Sequence, residues 1–352
     1  MPDFYSAPPR RTRRLWLFLP MTLLLAVCAA WSSFWFYAAG RANAAVDGWL
    51  EEERTLGHEW TCPGRSLTGF PFRFEFACDS VGYAAQADGV TAKARTFRAV
   101  ALAYQPDRVV AELDAPLDLN LADSGRQVRL EWSTFRLSVG GLLGKLPHAD
   151  AVMAKPVVTS QVPDRPGASA RSESFQLHLR RNPDLPPGER ALDAALSLSQ
   201  LANGQIDDAT ASTVPADFTA QGTLTQAHAG TDLTLPEWLE IWRRADGRFD
   251  LTGMSLSKGE LKVGGTGQVS LDDNHRMRGQ LTLDAAGMEP VLARFGIPAA
   301  ALNVGGLLSG LLGGKGKAGD APKNSVHLGL KLEKGGVFLG PLKLPVTLAP
   351  VY

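Results

Sequence analysis

The sequence predicts a mainly β protein: a long curved antiparallel sheet, half-barrel or groove-like, with an N-terminal transmembrane helix and a few short helices. Three observations predict it. Residues 15–40 carry no charged side chain. From Phe70 onward, apolar and polar residues alternate with a period of two in one segment after another. Turn signals divide those segments, among them Gln105-Pro106-Asp107, Asp123-Ser124-Gly125, Ala202-Asn203-Gly204 and Leu271-Asp272-Asp273-Asn274.

Residues 1–14 form a basic tail. Arg10, Arg11, Arg13 and Arg14 stand against Asp3 alone, a net of +3. The whole chain is neutral, so the remainder carries −3. That mildly acidic balance does not suit a grip on phosphate backbones, and no nucleic-acid partner is expected. The run 15–40 is long enough to cross a bilayer core as a helix, which takes roughly 20 residues. Trp16 sits near one end, and Trp31, Trp35 and Tyr37 near the other, as interfacial aromatic belts do. Arginines precede the span and acidic residues (Asp47, Glu51, Glu52 and Glu53) follow it, so the positive-inside rule puts the N-terminus in the cytoplasm. The apolar run exceeds the 7–15 residues of a signal-peptide core, which favours a retained anchor over a cleaved one. Leu25-Ala26-Val27-Cys28 resembles a lipobox, but valine replaces the small residue expected before the cysteine. Every one of these readings places the body outside an inner, cytoplasmic membrane, in the periplasm.

Residues 41–60 read as a helical stalk, with Ala45, Val46, Trp49 and Leu56 at helical spacing. A periplasmic β-rich body follows over 61–352. It opens on WTCPGRSLTGFPFRFEFAC, residues 60–78. Outside the cytoplasm disulfides persist, and Cys28 stays in the membrane, so Cys62 and Cys78 are expected to pair. The pair would fasten the stalk to the first strand. Phe70, Phe72, Phe74 and Phe76 fall on one face of that strand. Two readings of this stripe stay open: core-facing residues of a filled β layer, or the lining of an apolar groove that receives lipid.

Strands are expected over Thr91–Tyr104, Arg108–Leu121, Gln127–Val139, Ala151–Ser160 and Ser174–Leu179, and again at intervals from Ala191 to Leu344. Two short helices interrupt them. Leu235–Arg244 has Thr234 as N-cap and Pro236 in its first turn, and Met288–Phe295 ends at Gly296. Residues 305–324, rich in glycine and lysine, read as a flexible loop.

No catalytic constellation emerges. The six histidines are scattered, and neither HExxH nor GxSxG occurs. The glycines before Lys145 and Lys315 lack the P-loop spacing. No metal, cofactor or catalytic residue is therefore expected, and the chain is read as a non-enzyme; carboxylates distant in sequence that meet in a cleft would make it a hydrolase instead.

Cys62-Pro63-Gly64-Arg65, then Gly69-Phe70-Pro71-Phe72-Arg73, closed by Cys78, resembles the bacterial family catalogued as domain of unknown function twenty-one twenty-five. Trp49 and the C-terminal Gly-Val-Phe-Leu-Gly-Pro-Leu-Lys-Leu-Pro match its pattern as well. A looser resemblance, of pattern and topology, links Gly259–Leu283 with AsmA-like envelope proteins. It implies lipid handling between membranes, although this chain is short beside the bridge-forming members. The expected role is that of an anchored envelope protein that binds or passes lipid or supports envelope assembly. A periplasmic scaffold with a filled β-core, binding envelope proteins, is the alternative.

Overall fold

The computed structural model describes residues 15–141, 147–164, 166–227, 234–294, 326–340 and 342–352. One continuous helix, α1, runs from Leu15 to Thr55. Its side chains from Phe18 to Ala30 are exposed, and the segment is long and apolar enough to cross a membrane. From Trp31 onward the helix packs on protein. It ends at Thr55, short of the end of the helical stalk expected over 41–60. Gly57 adopts φ +86° and its N–H reaches the Arg54 carbonyl, a left-handed stop that suits glycine. His58–Thr61 then pairs as strand β1.

Among the described residues, 22 strands pair antiparallel into one sheet. After β1 and β2 (Ser66–Thr68), the chain makes long strands that each break once. β3 (Arg73–Cys78) runs on into β4 (Val81–Ala85), and β5 (Val90–Ala94) into β6 (Phe97–Leu102). β7 (Gln105–Leu113) leads to β8 (Leu117–Leu121), β9 (Arg126–Glu131) to β10 (Thr134–Gly140), β11 (His148–Ala154) to β12 (Val157–Gln161), and β13 (Ala168–Arg171) to β14 (Ser174–Arg181). The pieces on one side of the breaks, β4, β5, β8, β9, β12 and β13, pair with one another, and those on the other side, β3, β6, β7, β10, β11 and β14, do the same. The breaks therefore lie side by side. Backbone bonds run across them from Asp114 to Thr96, Ser133 to Ala154, Lys155 to Glu173 and Glu173 to Ser199.

Most of these breaks insert one residue into the period-two count. Val128 and Leu130 are followed by Phe135, Leu137 and Val139, not by 134 and 136. Ala92 and Ala94 are followed by Phe97 and Ala99, and Ala151 and Met153 by Val158 and Ser160. Each insertion acts as a β-bulge, which bends a strand and raises its twist. Lys155 and Gln200 sit on this line with φ of 50° and 52°. The sheet thus carries a fold line across its N-terminal half.

The C-terminal half is a plain meander: β15 (Leu192–Asn203), β16 (Ala216–Leu224), β17 (Phe249–Lys258), β18 (Leu261–Leu271), β19 (Met277–Ala286), β20 (Val326–Glu333), β21 (Gly336–Leu339) and β22 (Leu342–Thr347). Open sheets of this strand number curl on themselves, because twist accumulates from strand to strand.

Among the described residues, three short α-helices join these strands: α2 (Gly204–Thr210), α3 (Leu235–Arg244) and α4 (Glu289–Arg294). α3 covers the predicted residues, and Glu237 accepts from the backbone N–H of Thr234 at 2.9 Å. α2 replaces the turn read at Ala202-Asn203-Gly204. The Asn203 side chain accepts from the Ile206 N–H and so caps a helix instead of closing a turn. Phe295, Gly296 and the loop expected over 305–324 lie outside the described residues.

Candidate functional site

The Cys62–Cys78 disulfide forms, with Cα atoms 5.2 Å apart. It ties the turn after β1, not the helical stalk, to the last residue of β3. Cys78 is buried there, on the fold line.

The four phenylalanines do not share one strand. Arg73 begins β3, so only Phe74 and Phe76 belong to it. Phe70 and Phe72 sit in the β2–β3 turn and are exposed. The reason is local. Gly69 holds φ +104°, and a Cβ there would meet the Arg73 carbonyl oxygen at 2.7 Å. Pro71 brings no N–H to a ladder. The Arg73 N–H bonds back to the Gly69 carbonyl and closes a tight turn.

Helix α1 meets this turn and the strand behind it. The Trp31 indole donates to the Pro71 carbonyl at 2.8 Å, and the Trp35 indole to the Arg73 carbonyl at 3.0 Å. Trp35 stacks on Phe74 with centroids 5.3 Å apart and meets Phe70 edge-on at 5.5 Å. Trp35, Ala39 and Ala103 form a small buried cluster with Leu67 and Phe74 against it. Farther along, Val46, Trp49 and Leu50 face Phe76, Cys78, Val81 and Phe97 across a cavity of about 260 Å³. Sequence reading gave Trp31 and Trp35 to the membrane interface alone; their second role as partners of β3 carries no local signal.

Beyond α1, the registers reveal what the stripe belongs to. Phe76 begins a row of mutually paired residues: Ala99, Ala111, Leu137, Ala151, Leu177, Leu196, Ala220, Met254, Gly265, Leu283 and Leu328. A second row starts at Phe74 and crosses Val139, Leu179, Leu251 and Leu281 to Leu330 and Leu339. A third crosses Phe135, Met153, Phe175, Leu198, Phe218, Leu256 and Val263. No polar side chain interrupts the first two rows. At about 4.8 Å per strand, the first row is on the order of 60 Å long.

The middle of these rows is neither sealed nor bare. From Phe135 to Met254 most of their side chains are half-buried. Complete burial returns at the far end, where Ala285, Leu328 and Leu339 form a second cluster with Leu283 and Leu330 packed on it. The opposite face is polar. Arg136–Glu112, Arg129–Asp118, Arg180–Asp193 and His178–Asp150 pair across neighbouring strands there. Such exposed pairs contribute little stability and mark a face turned to water. The apolar face is the less exposed of the two.

Polar knots lie at the strand ends, away from the rows. Lys258 is 2% exposed, and its Nζ donates to Asp207 of α2 at 2.5 Å and to the Val214 carbonyl at 2.7 Å. At the opposite ends, Glu240 of α3 accepts from Arg243, Arg244 and the Tyr352 hydroxyl. The Arg243 hydrogen bonds, then that of Tyr352, hold the Glu240 carboxyl far below the usual carboxylate range. Burial and the bond to Glu240 push the Tyr352 hydroxyl up. Among the described residues no group of three or more His, Cys, Asp or Glu side chains is placed to hold a metal ion.

No curated protein and no solved structure matches this chain. A family model described as uncharacterized protein conserved in bacteria matches residues 35–347, from the aromatic end of the apolar helix through the last strand. The chain therefore belongs to this bacterial family, the domain of unknown function DUF2125.

Proposed function

We propose that this protein is anchored in the inner membrane by the apolar part of α1, with residues 1–14 in the cytoplasm, and that its sheet binds lipid acyl chains in the periplasm. One observation carries the reading: the apolar rows run unbroken across the sheet, and their middle stretch is only half-buried. A soluble protein normally covers such a face with a second layer. Acyl chains match its chemistry, since they ask for no polar partner. The bilayer core is about 30 Å for two leaflets, so a row on the order of 60 Å has room for several chains end to end.

Two further features support the compartment. The Cys62–Cys78 disulfide fits an oxidising environment, and the basic tail fits the cytoplasmic side of a single span. The role we propose is binding, not catalysis, because the rows offer no acid, base or nucleophile to a ligand lying on them. Supporting envelope assembly would follow from holding lipid outside the bilayer.

The test is native mass spectrometry of the full chain purified from membranes in mild detergent, with extraction of what it carries. Phospholipid that stays bound until unfolding is expected, and Leu177→Glu or Leu196→Glu should lower its occupancy several-fold. A lipid-free protein whose rows are sealed by its own residues or by a protein partner would overturn the reading in favour of a scaffold.

A further inference from the structure

We propose that the β2–β3 and β6–β7 turns form a foot that rests in the outer boundary of the membrane, with Phe70, Phe72 and Tyr104 as its contacts. The inference rests on the reading of α1 as a membrane anchor and adds where the body meets the bilayer.

Depth along α1 gives the first argument. The helix rises 1.5 Å per residue, so Trp31 and Phe36 stand about 24 and 32 Å from Leu15, the first residue after the arginines. The hydrocarbon core is about 30 Å thick. The turn from Trp31 to Phe36 therefore lies at its far boundary. Phe70 is stacked on Phe36 with centroids 5.4 Å apart and meets Trp35 at 5.5 Å. The β2–β3 turn is thus level with the boundary, not above it.

The second argument is rigidity. Indole N–H groups of Trp31 and Trp35 hold the carbonyls of Pro71 and Arg73. The Phe72 carbonyl accepts from the Ala103 N–H at 2.8 Å, which joins the β6–β7 turn to the same unit. The body cannot swing away from the helix at this point without breaking all three bonds and the Trp35 cluster.

The third argument is what the turns expose. Phe70 is 48% exposed, Phe72 63% and Tyr104 66%. Leu102 beside them is open as well. Tight turns facing water favour glycine, asparagine and aspartate. Aromatic rings suit the headgroup level, and tyrosine in particular presents an apolar body with a polar tip. The opposite turn of the same strands, Gln86-Ala87-Asp88-Gly89 between β4 and β5, carries no aromatic ring, and Gln86, Ala87 and Asp88 are exposed. The contrast separates a membrane end from a water end on the first strands.

Spin labelling tests this on the full chain in nanodiscs of phosphatidylethanolamine and phosphatidylglycerol. Cys28→Ser leaves the disulfide as the only other cysteine pair. Single cysteines are then introduced as Phe72→Cys, Tyr104→Cys, Ala87→Cys and Val27→Cys, all at exposed positions that leave the core intact. Power saturation compares accessibility to oxygen with accessibility to a water-soluble nickel chelate. The labels at 72 and 104 should show an oxygen-to-nickel ratio several-fold above that at 87 and below that at 27. Ratios at 72 and 104 equal to that at 87, with 27 in the core, would overturn the foot and leave the anchor standing. A label at 27 exposed to nickel would overturn the anchor and the foot with it.

Discussion

Replacing Leu196 by alanine should cost much less than replacing Leu328, although both lie in the same row of the sheet. Leucine to alanine removes three carbons, worth about 2.4 kcal/mol at about 0.8 kcal/mol per buried methylene. Leu328 is 7% exposed and packs against Ala285 and Leu339, so its loss leaves a void that raises the cost to about 3–5 kcal/mol. Leu196 is half-buried between Leu177 and Ala220 on the open stretch. Solvent or lipid fills the gap it leaves, so no cavity term arises and about 1 kcal/mol is lost. The assay is thermal unfolding of the two variants and the parent, full length, in detergent without added lipid. Phospholipid is then titrated in. A ligand that binds only the folded state stabilises by RT ln(1 + [L]/Kd), about 2.7 kcal/mol at a hundredfold excess over Kd. Equal destabilisation by the two substitutions would mean that the middle of the face is sealed by protein, and the reasoning from half-burial would fail.

Reducing the Cys62–Cys78 bond, or Cys62→Ser, should lower stability by about 3 kcal/mol, the chain-entropy figure for a separation of 16 residues; native-state thiol labelling that finds both cysteines free would refute the pairing. Glu240 has its carboxyl pKa depressed, so its bonds to Arg243, Arg244 and Tyr352 contribute fully above the ordinary value of 4.5, and that contribution shrinks as pH falls below it towards the depressed value. The protection of the Val351 amide, bonded to the His275 carbonyl, should therefore fall in acid when exchange is compared with the intrinsic rate at the same pH, and Glu240→Gln should show the lowered protection at neutral pH. Asp207→Ala strips the buried Lys258 ammonium of its charged partner and should cost about 2–3 kcal/mol, less than a fully buried pair because Asp207 itself is partly open. Lys258→Met with Asp207→Ala should restore much of that loss, read by the same thermal unfolding.

The β architecture was legible because the alternation of apolar and polar residues survives in nearly every strand. Helix α3 was legible from Thr234 and Pro236, both local signals. The fold line was not. Thr91–Tyr104 and Gln127–Val139 read as single strands, yet each holds an inserted residue near its middle, at Arg95-Thr96 and at Trp132-Ser133. A bulge is defined by the partner strand, and one segment read alone does not contain its partner. The same holds for the stripe of phenylalanines. A strict count put Phe70 and Phe72 on a strand, while Gly69 and Pro71 end the ladder before Arg73. Asn203 was ambiguous in kind, since the same side chain that favours a turn also caps a helix. The apolar rows lay beyond any local reading, because they run perpendicular to the chain and exist only once the registers are fixed.

The aligned bulges also set how length variation is tolerated. Most of the N-terminal strands keep their apolar side chains on one face only because they carry an extra residue at the same level as their neighbours. Deleting a single residue at that level, Ser133 or Glu173 for instance, would rotate half a strand by one step and turn its leucines and phenylalanines to water. Deleting two would restore the phase and shorten the strand. Homologous chains should therefore vary in length inside these strands by even numbers, and freely only in the turns at either end.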